Sequence, residues 1–444
     1  MTAPDPRAAL ETVWRMEYAR IVATLARLVR DVGLAEELAQ DTLVIALEQW
    51  PVTGVPAHPA SWLMATAKHR AIDLLRRQST YAAKLAEVGR TVSDVEDRDL
   101  AADMDDYVGD DLLRLIFTTC HPVLSVESRV ALTLRLVGGL STEEIARSYL
   151  ASEATVSQRI LRAKRTLAAR RIPIELPPPA EASNRLASVL EVVYLIFNEG
   201  YAATSGEDWT RPALCGEALR LGRVLAGLAP AEPEVHGLVA LMELQASRLP
   251  ARIGPDGAPV LLQDQDRRRW DRLLIRRGLA ALDRAGATFG PYALQAAIAA
   301  CHARAASPAD TDWERIAALY AVLAMVSPSP VVELNRAVAV GHASGPAAAL
   351  AIVDGLDLPG YALLPAVRGD LLEKLGRVAE AREEFARAAA LTRNARERDL
   401  FLARAGDVMP ARAGDVGPAR AGDVGPAGGA TARVSGPGPE TSVR

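Results

Sequence analysis

Aromatic side chains are scarce in this 444-residue sequence, making up only 5% of it, although half of its residues are hydrophobic. Alanine and leucine dominate the hydrophobic set, and the runs of β-branched residues that strands favour are rare. In every long segment the hydrophobic residues recur at a spacing near 3.6 residues. The pattern predicts an all-α protein, and the length leaves room for two to four domains.

Cysteine is also rare, with three widely spaced residues, Cys120, Cys215 and Cys301. An odd number of distant cysteines argues against a disulfide framework and is typical of a reduced, cytoplasmic protein. The first residues lack the apolar core of a signal peptide, and no run approaches the roughly 18 apolar residues of a membrane helix. We therefore expect neither export nor membrane insertion.

Motifs for metal binding and catalysis are missing as well. The six histidines are scattered, HExxH and CxxC do not occur, and the pairs Cys120–His121 and Cys301–His302 have no further ligand nearby in sequence. There is no P-loop, no dinucleotide fingerprint and no GxSxG. The sequence therefore predicts a protein without metal, cofactor or enzymatic activity. Because the formal charge is −4, any contact with nucleic acid must be local.

The stretch from Leu140 to Arg171 has the pattern of two short helices joined by a tight turn. Ser141 and Glu144 form a capping box before the first helix, and Ser152 caps the second. The second helix has one hydrophobic face and one face of side chains that can hydrogen-bond base edges or phosphates. That face consists of Thr155, Ser157, Gln158, Arg159, Arg162 and Arg165. The pattern is typical of a helix-turn-helix, the alternative being an ordinary helical hairpin with a solvated cationic face.

Three amphipathic helices are predicted before this stretch, at 8–30, 34–50 and 60–78, with a proline-rich loop at 51–59. The second helix is expected to present four acidic residues outward, Glu36, Glu37, Asp41 and Glu48. The third carries Trp62 beside a cationic edge formed by Lys68, Arg70, Arg76 and Arg77. Such an edge suits an unpaired DNA strand, because bases stack on aromatic rings while phosphates pair with cations. The alternative is that Trp62 anchors the core.

Taken in order, the segment WLMATAKHRAIDLLRR, an acidic connector and the segment STEEIARSYLASEATVSQRILRAKRTL resemble regions 2 and 4 of a bacterial extracytoplasmic-function (ECF) sigma factor over residues 8–171. The segment EATVSQRILRAKRTL and the long helical extension resemble the subgroup with a C-terminal tetratricopeptide-like domain. This resemblance extends to about residue 402. The resemblance implies a protein that binds the β and β′ subunits of core RNA polymerase and directs initiation at promoter DNA. Region 2 would melt and read the −10 element, and region 4 would read the −35 element.

The resemblance also implies site residues. Polymerase contacts would come from Glu37, Asp41 and Trp50. Contacts to the −10 element would come from Trp62, Lys68, His69, Arg70, Arg76 and Arg77, and contacts to the −35 element from the exposed face of the helix at Glu153–Ala168. Two positions depart from the family pattern. His69 stands where Asn is usual, which bears on the −10 base preference, and Leu150 stands where Gly is usual, which bears on the geometry of the turn.

The resemblance implies sigma region 2 at 8–80, sigma region 4 at 112–172 and a helical tetratricopeptide-like extension at 184–402. Composition predicts an acidic flexible linker at 81–111 and a disordered low-complexity tail at 403–444. The linker prediction rests on ten acidic residues against two arginines in 87–111. In the extension, a small hairpin is predicted at 251–271. Polar networks are predicted at Asp264, at Asp266 to Arg269 beside Trp270, and at Asn198 to Tyr201.

The helical hairpins of the extension are clearest near its end. Gly369, Leu372, Ala381, Phe385 and Ala388 occupy tetratricopeptide-type packing positions, and Ala337, Ala349 and Val353 form a weaker copy 32 residues earlier. Such a domain is expected to regulate activity by binding the sigma regions, the polymerase or a regulatory protein.

Two other classes of function remain open on the residues alone. A conventional operator-binding regulator with a sensing helical domain would use the same helix-turn-helix, although it would not need the acidic helix and the second basic segment before it. A helical scaffold would leave both basic faces unused.

Overall fold

A computed structural model describes residues 6–88, 108–149, 151–202, 210–254, 259–287 and 290–407. These residues form α-helices and short 3-10 turns, and within them the only strand-like pairing is an isolated bridge between Ile253 and Pro259. The all-α prediction is confirmed. The helices are α1 (Pro6–Val29), α2 (Val32–Thr53), α3 (Pro59–Val88), α4 (Val108–Thr119), α5 (Val126–Leu136), α6 (Thr142–Ser148), α7 (Glu153–Ala169), α8 (Pro179–Tyr201), α9 (Pro212–Leu228), α10 (Pro233–Ala246), α11 (Arg272–Ala285), α12 (Pro291–Arg304), α13 (Trp313–Val326), α14 (Pro330–Ala343), α15 (Pro346–Val353), α16 (Leu363–Lys374), α17 (Val378–Leu391) and α18 (Ala395–Asp407).

The chain divides into two compact units, and the boundary falls inside α10, between Met242 and Glu243. Among the described residues no helix is both long and apolar enough to cross a membrane.

The first unit begins with a bundle of α1, α2 and α3. Ile21, Val22 and Leu25 of α1 are fully buried and form its centre. Asp31 caps α2 by accepting hydrogen bonds from the backbone N–H groups of Gly33 and Leu34 at 2.7 and 2.9 Å. The helix α2 is longer than predicted, since it continues through Pro51 to Thr53, and the irregular loop is therefore short.

The predicted acidic linker is wrong at both of its ends. At one end α3 continues to Val88, and at the other α4 begins at Val108 and carries Asp110 and Asp111 in its first turn. Acidic side chains are favourable there because a helix N-terminus carries partial positive charge. Asp111 is 2% exposed and pairs with Arg27 of α1 and Arg114 of α4. Residues 89–107 lie outside the described part of the chain.

The same unit continues with α4 to α9. The capping box between Ser141 and Glu144 is present, as predicted. Helices α8 and α9 cross closely at Gly200, where an added Cβ would lie 2.6 Å from the backbone nitrogen of Cys215. Only glycine permits this approach, so the close packing of α8 on α9 depends on that residue.

The second unit contains consecutive helical hairpins. Helices α16 and α17 pack through Gly369, where an added Cβ would lie 3.1 Å from the ring of Phe385. Thirty-two residues earlier, Ala337, Ala349 and Val353 are buried in the same core. Both copies of the predicted packing pattern are thus confirmed as packed helical hairpins.

Of the small hairpin predicted at 251–271, the described residues show one antiparallel bridge between Ile253 and Pro259 and a hydrogen bond of 2.8 Å from the Val260 N–H to the Arg252 carbonyl. Three 3-10 turns make up much of the remaining described segment. Arg267 donates hydrogen bonds of 2.7 Å to the carbonyls of His302 and Ala305 and lies over the ring of Trp270. The network predicted at this position therefore fastens the segment to the end of α12.

Candidate nucleic-acid interface

Helix α7 is held by one hydrophobic face. Ser152 caps it by accepting a hydrogen bond of 3.1 Å from the N–H of Thr155. The residues that face inward recur at helical spacing and are between 1% and 7% exposed: Val156, Ile160, Ala163 and Leu167. This pattern leaves the opposite face of α7 to solvent, as the sequence predicts.

The opposite face carries the six side chains predicted to contact the −35 element. Thr155, Ser157, Gln158, Arg162 and Arg165 are exposed, and Arg159 is half-buried. Within the described residues, none of the three arginines forms an ion pair. The hydroxyl of Thr155 lies 2.8 Å from that of Ser152, so Thr155 takes part in the cap of its own helix. Arginines that are not engaged by a described acid can interact with a phosphate backbone or with base edges.

A different face of α7 is attached to α2. Lys164 pairs with Glu36, and Arg135 of α5 reaches the same carboxylate at 2.6 Å. Glu36 is only 6% exposed, so its predicted outward position is wrong. The reason is tertiary, because α5 and α7 cover that side of α2.

The structure also corrects the role of Trp50. This side chain is 1% exposed and meets Trp62 edge to face, with ring centroids 5.7 Å apart. Since α2 continues to Thr53, Trp50 lies on its inner face and cannot contact polymerase from that position. Trp62 is half-buried and packs against Trp50. The alternative that Trp62 anchors the core therefore holds for the part of its ring that contacts Trp50.

The outer face of α2 combines acidic and apolar residues. Glu37, Asp41 and Glu48 are exposed, and Val44 and Leu47 beside them are 52% and 44% exposed. Apolar side chains at this exposure on a helix flanked by acids are typical of a protein-binding surface. We call these five residues the α2 surface.

The predicted −10 contacts lie along α3 next to the α2 surface. His69, Arg70, Arg76 and Arg77 are exposed, and Lys68 is half-buried. Arg70 forms an ion pair of 3.0 Å with Asp41, and both side chains are about half exposed. One predicted DNA contact is thus paired with one predicted polymerase contact, and a solvated pair of this kind contributes only about 0–1 kcal/mol.

Helices α8 and α9 complete the ends of the three helices before α7, an arrangement that the sequence did not reveal. Four of their side chains donate to backbone carbonyls at helix C-termini, where acceptors would otherwise lack partners. The bonds are Arg185 to Phe117 at 2.8 Å, Ser188 to Cys120 at 2.7 Å, Arg220 to Val137 at 2.8 Å, and Arg211 to Ser148 at 2.8 Å. No sequence pattern marks these donors, because α8 and α9 carry other polar residues, such as Asn184 and Arg223.

The last of these bonds lies at the turn of the helix-turn-helix. Arg211 also pairs with Glu199, so the segment at Asn198 to Tyr201 connects α8 to this turn. The hydroxyl oxygen of Tyr149 is buried beside the same pair. Burial, and then the charge of Glu199, raises the pKa of the Tyr149 phenol, which therefore stays protonated. Leu150 lies outside the described residues.

Potential metal ligands do not come together in the described part of the chain, where no group of three or more His, Cys, Asp or Glu side chains has suitable geometry. The three cysteines are free and buried. Burial raises the pKa of the Cys120 thiol, so this group stays protonated and is a poor ligand or nucleophile.

Three families match parts of the chain. Residues 13–81 match Sigma-70 region 2, and residues 114–167 match Sigma-70 region 4. Residues 185–286 match a family of unknown function (DUF6596).

Among similar proteins, one matches most of the chain and others match about a third of it. The chain is 49% identical over 383 residues to "Uncharacterized protein R00370" of Rhizobium meliloti (strain 1021), covering 85% of this chain and 90% of that protein. It is 30% identical over 167 residues to the ECF RNA polymerase sigma factor SigL of Mycobacterium tuberculosis (strain CDC 1551 / Oshkosh), covering 37% of this chain and 90% of the relative. It is 28% identical over 152 residues to SigK of Mycobacterium ulcerans (strain Agy99), covering 33% and 78%. No solved structure matches the chain.

Proposed function

The chain belongs to the ECF family of RNA polymerase sigma factors and directs transcription initiation, and from this membership we propose which of its surfaces carry each step. The family binds core RNA polymerase and promoter DNA. The observation that carries the proposal is the presence of both matching regions in order, with an unpaired cationic face on α7.

The exposed face of α7 reads the −35 element. Gln158 and Arg162 are exposed and can form bidentate contacts to base edges, whereas Arg170 at the helix end suits a phosphate. The Ser152 cap, which accepts from the N–H of Thr155, and the hydrogen bond from Arg211 to the Ser148 carbonyl hold the two sides of the turn before α7. They thereby set the orientation of this helix.

The cationic side of α3 holds the −10 element. His69, Arg70, Arg76 and Arg77 are exposed along this helix, and its first turn carries Trp62. The half-exposed face of Trp62, supported from behind by Trp50, is available to a base displaced from the duplex.

The α2 surface binds core polymerase. Its acidic residues give orientation, and Val44 and Leu47 provide the apolar area that a complex can bury. This assignment replaces Trp50 by Val44 and Leu47 as the apolar contact.

The extension regulates the sigma regions from inside the first unit. Helices α8 and α9 supply carbonyl caps to α4, α5 and α6, so a change in these two helices would reach the helices and the turn that precede α7. A partner protein of the second unit would act through this connection. We place this activity in the cytoplasm, where polymerase and promoter DNA are found.

Reversal of one charge on the α2 surface tests the polymerase assignment. Asp41→Lys should weaken binding to core polymerase about tenfold or more, because it repels an interface arranged for acidic residues. Glu143→Lys is the matched control, since Glu143 is a similarly exposed acid in a surface ion pair on α6. Fluorescence titration of labelled chain with core polymerase gives both affinities. Equal affinities for the two variants would exclude the α2 surface as the contact.

A further inference from the structure

A cleft of about 660 Å³ lies within the first unit, between the α1–α2 junction, α4 and the end of α7. None of the residues assigned above to promoter or polymerase contacts lines it. Its charged lining consists of Arg27, Arg30, Arg114, Lys164 and Arg171 with Asp31 and Glu175. Basic side chains thus predominate in a concave site that no promoter contact uses.

Three of the acids in or beside the cleft, Asp111, Glu36 and Asp31, are already engaged, whereas Glu175 lies exposed in the lining. Asp111 is shared by Arg27 and Arg114, and Glu36 is shared by Lys164 and Arg135, so each carboxylate faces two cations. The carboxylate of Asp31 already accepts the N–H groups that begin α2. Arg30 and Arg171 form no ion pair with a described residue. These two arginines are therefore the groups left to bind an anion.

The backbone at the same two arginines is strained. Arg30 has φ 55° and Arg171 has φ 51°, and they are the only non-glycine residues with positive φ in the described chain. Arg30 directly follows α1, and Arg171 follows the C-cap residue of α7; glycine would adopt this conformation at either position without cost. Two arginines held at glycine positions in one cleft indicate that their side chains are needed there.

Apart from Thr118, the rest of the lining is apolar. Val32, Leu167, Ile172, Pro173, Ile174 and Leu176 form a wall beside the cations. Cations next to an apolar wall suit a ligand with phosphates at one end and a flat ring at the other. The cleft volume lies within the range of small-molecule sites and is enough for one nucleotide.

We propose that this cleft binds a nucleoside di- or triphosphate, with its phosphates at Arg30 and Arg171 and its base on the apolar wall. Lys164 belongs to the reading helix and Arg30 to region 2, so the bound nucleotide bridges regions 2 and 4 and stabilises their packing. The inference depends on the first unit alone and goes beyond the sigma activity.

Titration calorimetry of the full chain with GDP, ADP and inorganic pyrophosphate tests the proposal without polymerase or DNA. We expect binding of pyrophosphate and tighter binding of the nucleotides. Binding of none of the three at millimolar concentration would overturn the site. Nucleotide binding no tighter than that of pyrophosphate would overturn the role of the apolar wall.

Glycine variants separate binding from folding. Arg30→Gly and Arg171→Gly each remove a cation and relieve the positive φ, so each should lose affinity about tenfold or more while the melting temperature stays equal or rises. Arg170→Ala, one residue away and outside the cleft, is the matched control and should retain wild-type affinity. A lower melting temperature with unchanged nucleotide affinity would mean that the arginines only stabilise the helix ends, and would contradict the proposal.

Discussion

Side chains on the exposed face of α7 differ in what they can read. Gln158 points into solvent in the middle of the face, and its amide can form two hydrogen bonds to an adenine. Gln158→Ala should therefore cost about 1–3 kcal/mol on a promoter with the preferred −35 element and little on a scrambled one. Arg170→Ala should weaken both promoters alike and reduce the salt dependence of binding. Equal losses for both variants on both promoters, measured as open-complex formation by holoenzyme, would contradict this orientation of the helix.

A single histidine makes the second unit sensitive to acid. The ring of His342 stacks on Trp313 with centroids 4.0 Å apart, and its Nε2 lies 3.2 Å from the amide nitrogen of Gln263. Burial, and then the charge of Lys374, lowers the pKa of His342 from 6.5 to about 4. The unfolded chain therefore binds the proton first, so stability that is present above about pH 6.5 is lost as the pH falls toward 4.

Urea unfolding at pH 7.5 and pH 5 measures this effect. From pH 7.5 to pH 5, the free energy of unfolding of the wild type should fall by up to about 2 kcal/mol more than that of His342→Gln. The reason is that glutamine has no proton to bind in this range. Identical losses in the two proteins would show that His342 does not titrate in this range.

Contacts between residues that are close in sequence could be predicted, and contacts between distant residues could not. The caps at Ser141 and Ser152 follow from side chains three residues away, and both are present. The helical pattern predicts that Glu36 faces outward, and the family resemblance implies that Trp50 contacts polymerase. Both predictions are wrong because neither source reveals which neighbours cover each side of a helix. Glu36 is covered by Lys164, more than one hundred positions later in the chain.

At the scale of elements, a contact between the residue that precedes α9 and the end of α6 joins the extension to the helix-turn-helix. Arg211 and Glu199 form a largely buried ion pair, and Arg211 also bonds the Ser148 carbonyl. Arg211→Ala removes one charge of this buried pair together with the hydrogen bond to the Ser148 carbonyl, and should destabilise the first unit by about 3–5 kcal/mol. Arg220→Ala is a milder control, because Arg220 is 46% exposed and bonds one carbonyl of α5. Chemical unfolding compares them, and equal small losses would show that the Arg211 pair is not critical.

The helix patterns gave the elements themselves but not all of their ends. The predicted tail was placed from residue 403, yet α18 continues to Asp407. Arg404 lies over the ring of Phe385 and pairs with Asp370 at 3.0 Å. The first copy of the repeat RAGDV begins inside a packed helix. Because its sequence is repeated in the tail, the sequence alone predicts a low-complexity segment there instead of a helix end.

At the scale of the molecule, these contacts decide where the chain can be shortened. Deletion of residues 408–444 should leave melting temperature and transcription unchanged, whereas a deletion starting at Arg404 should lower the melting temperature because it removes the Asp370 pair. Truncation after Pro179 removes the carbonyl caps of α4, α5 and α6 and should lose −35 recognition while α1 to α3 still bind polymerase. A chain ending at Glu232 keeps those caps and should retain recognition. Equal −35 recognition by the chains ending at 179 and 232 would show that α8 and α9 are dispensable for region 4.

Run-off transcription by core RNA polymerase, with and without the full chain, on a library of random promoters tests the central claim most directly. We expect transcripts only when the chain is present, from templates that share two short elements separated by a fixed spacer. The same templates should be silent with core polymerase alone. A chain that binds free duplex tightly and yields no new transcript with core polymerase would contradict the assignment and would instead indicate an operator-binding regulator.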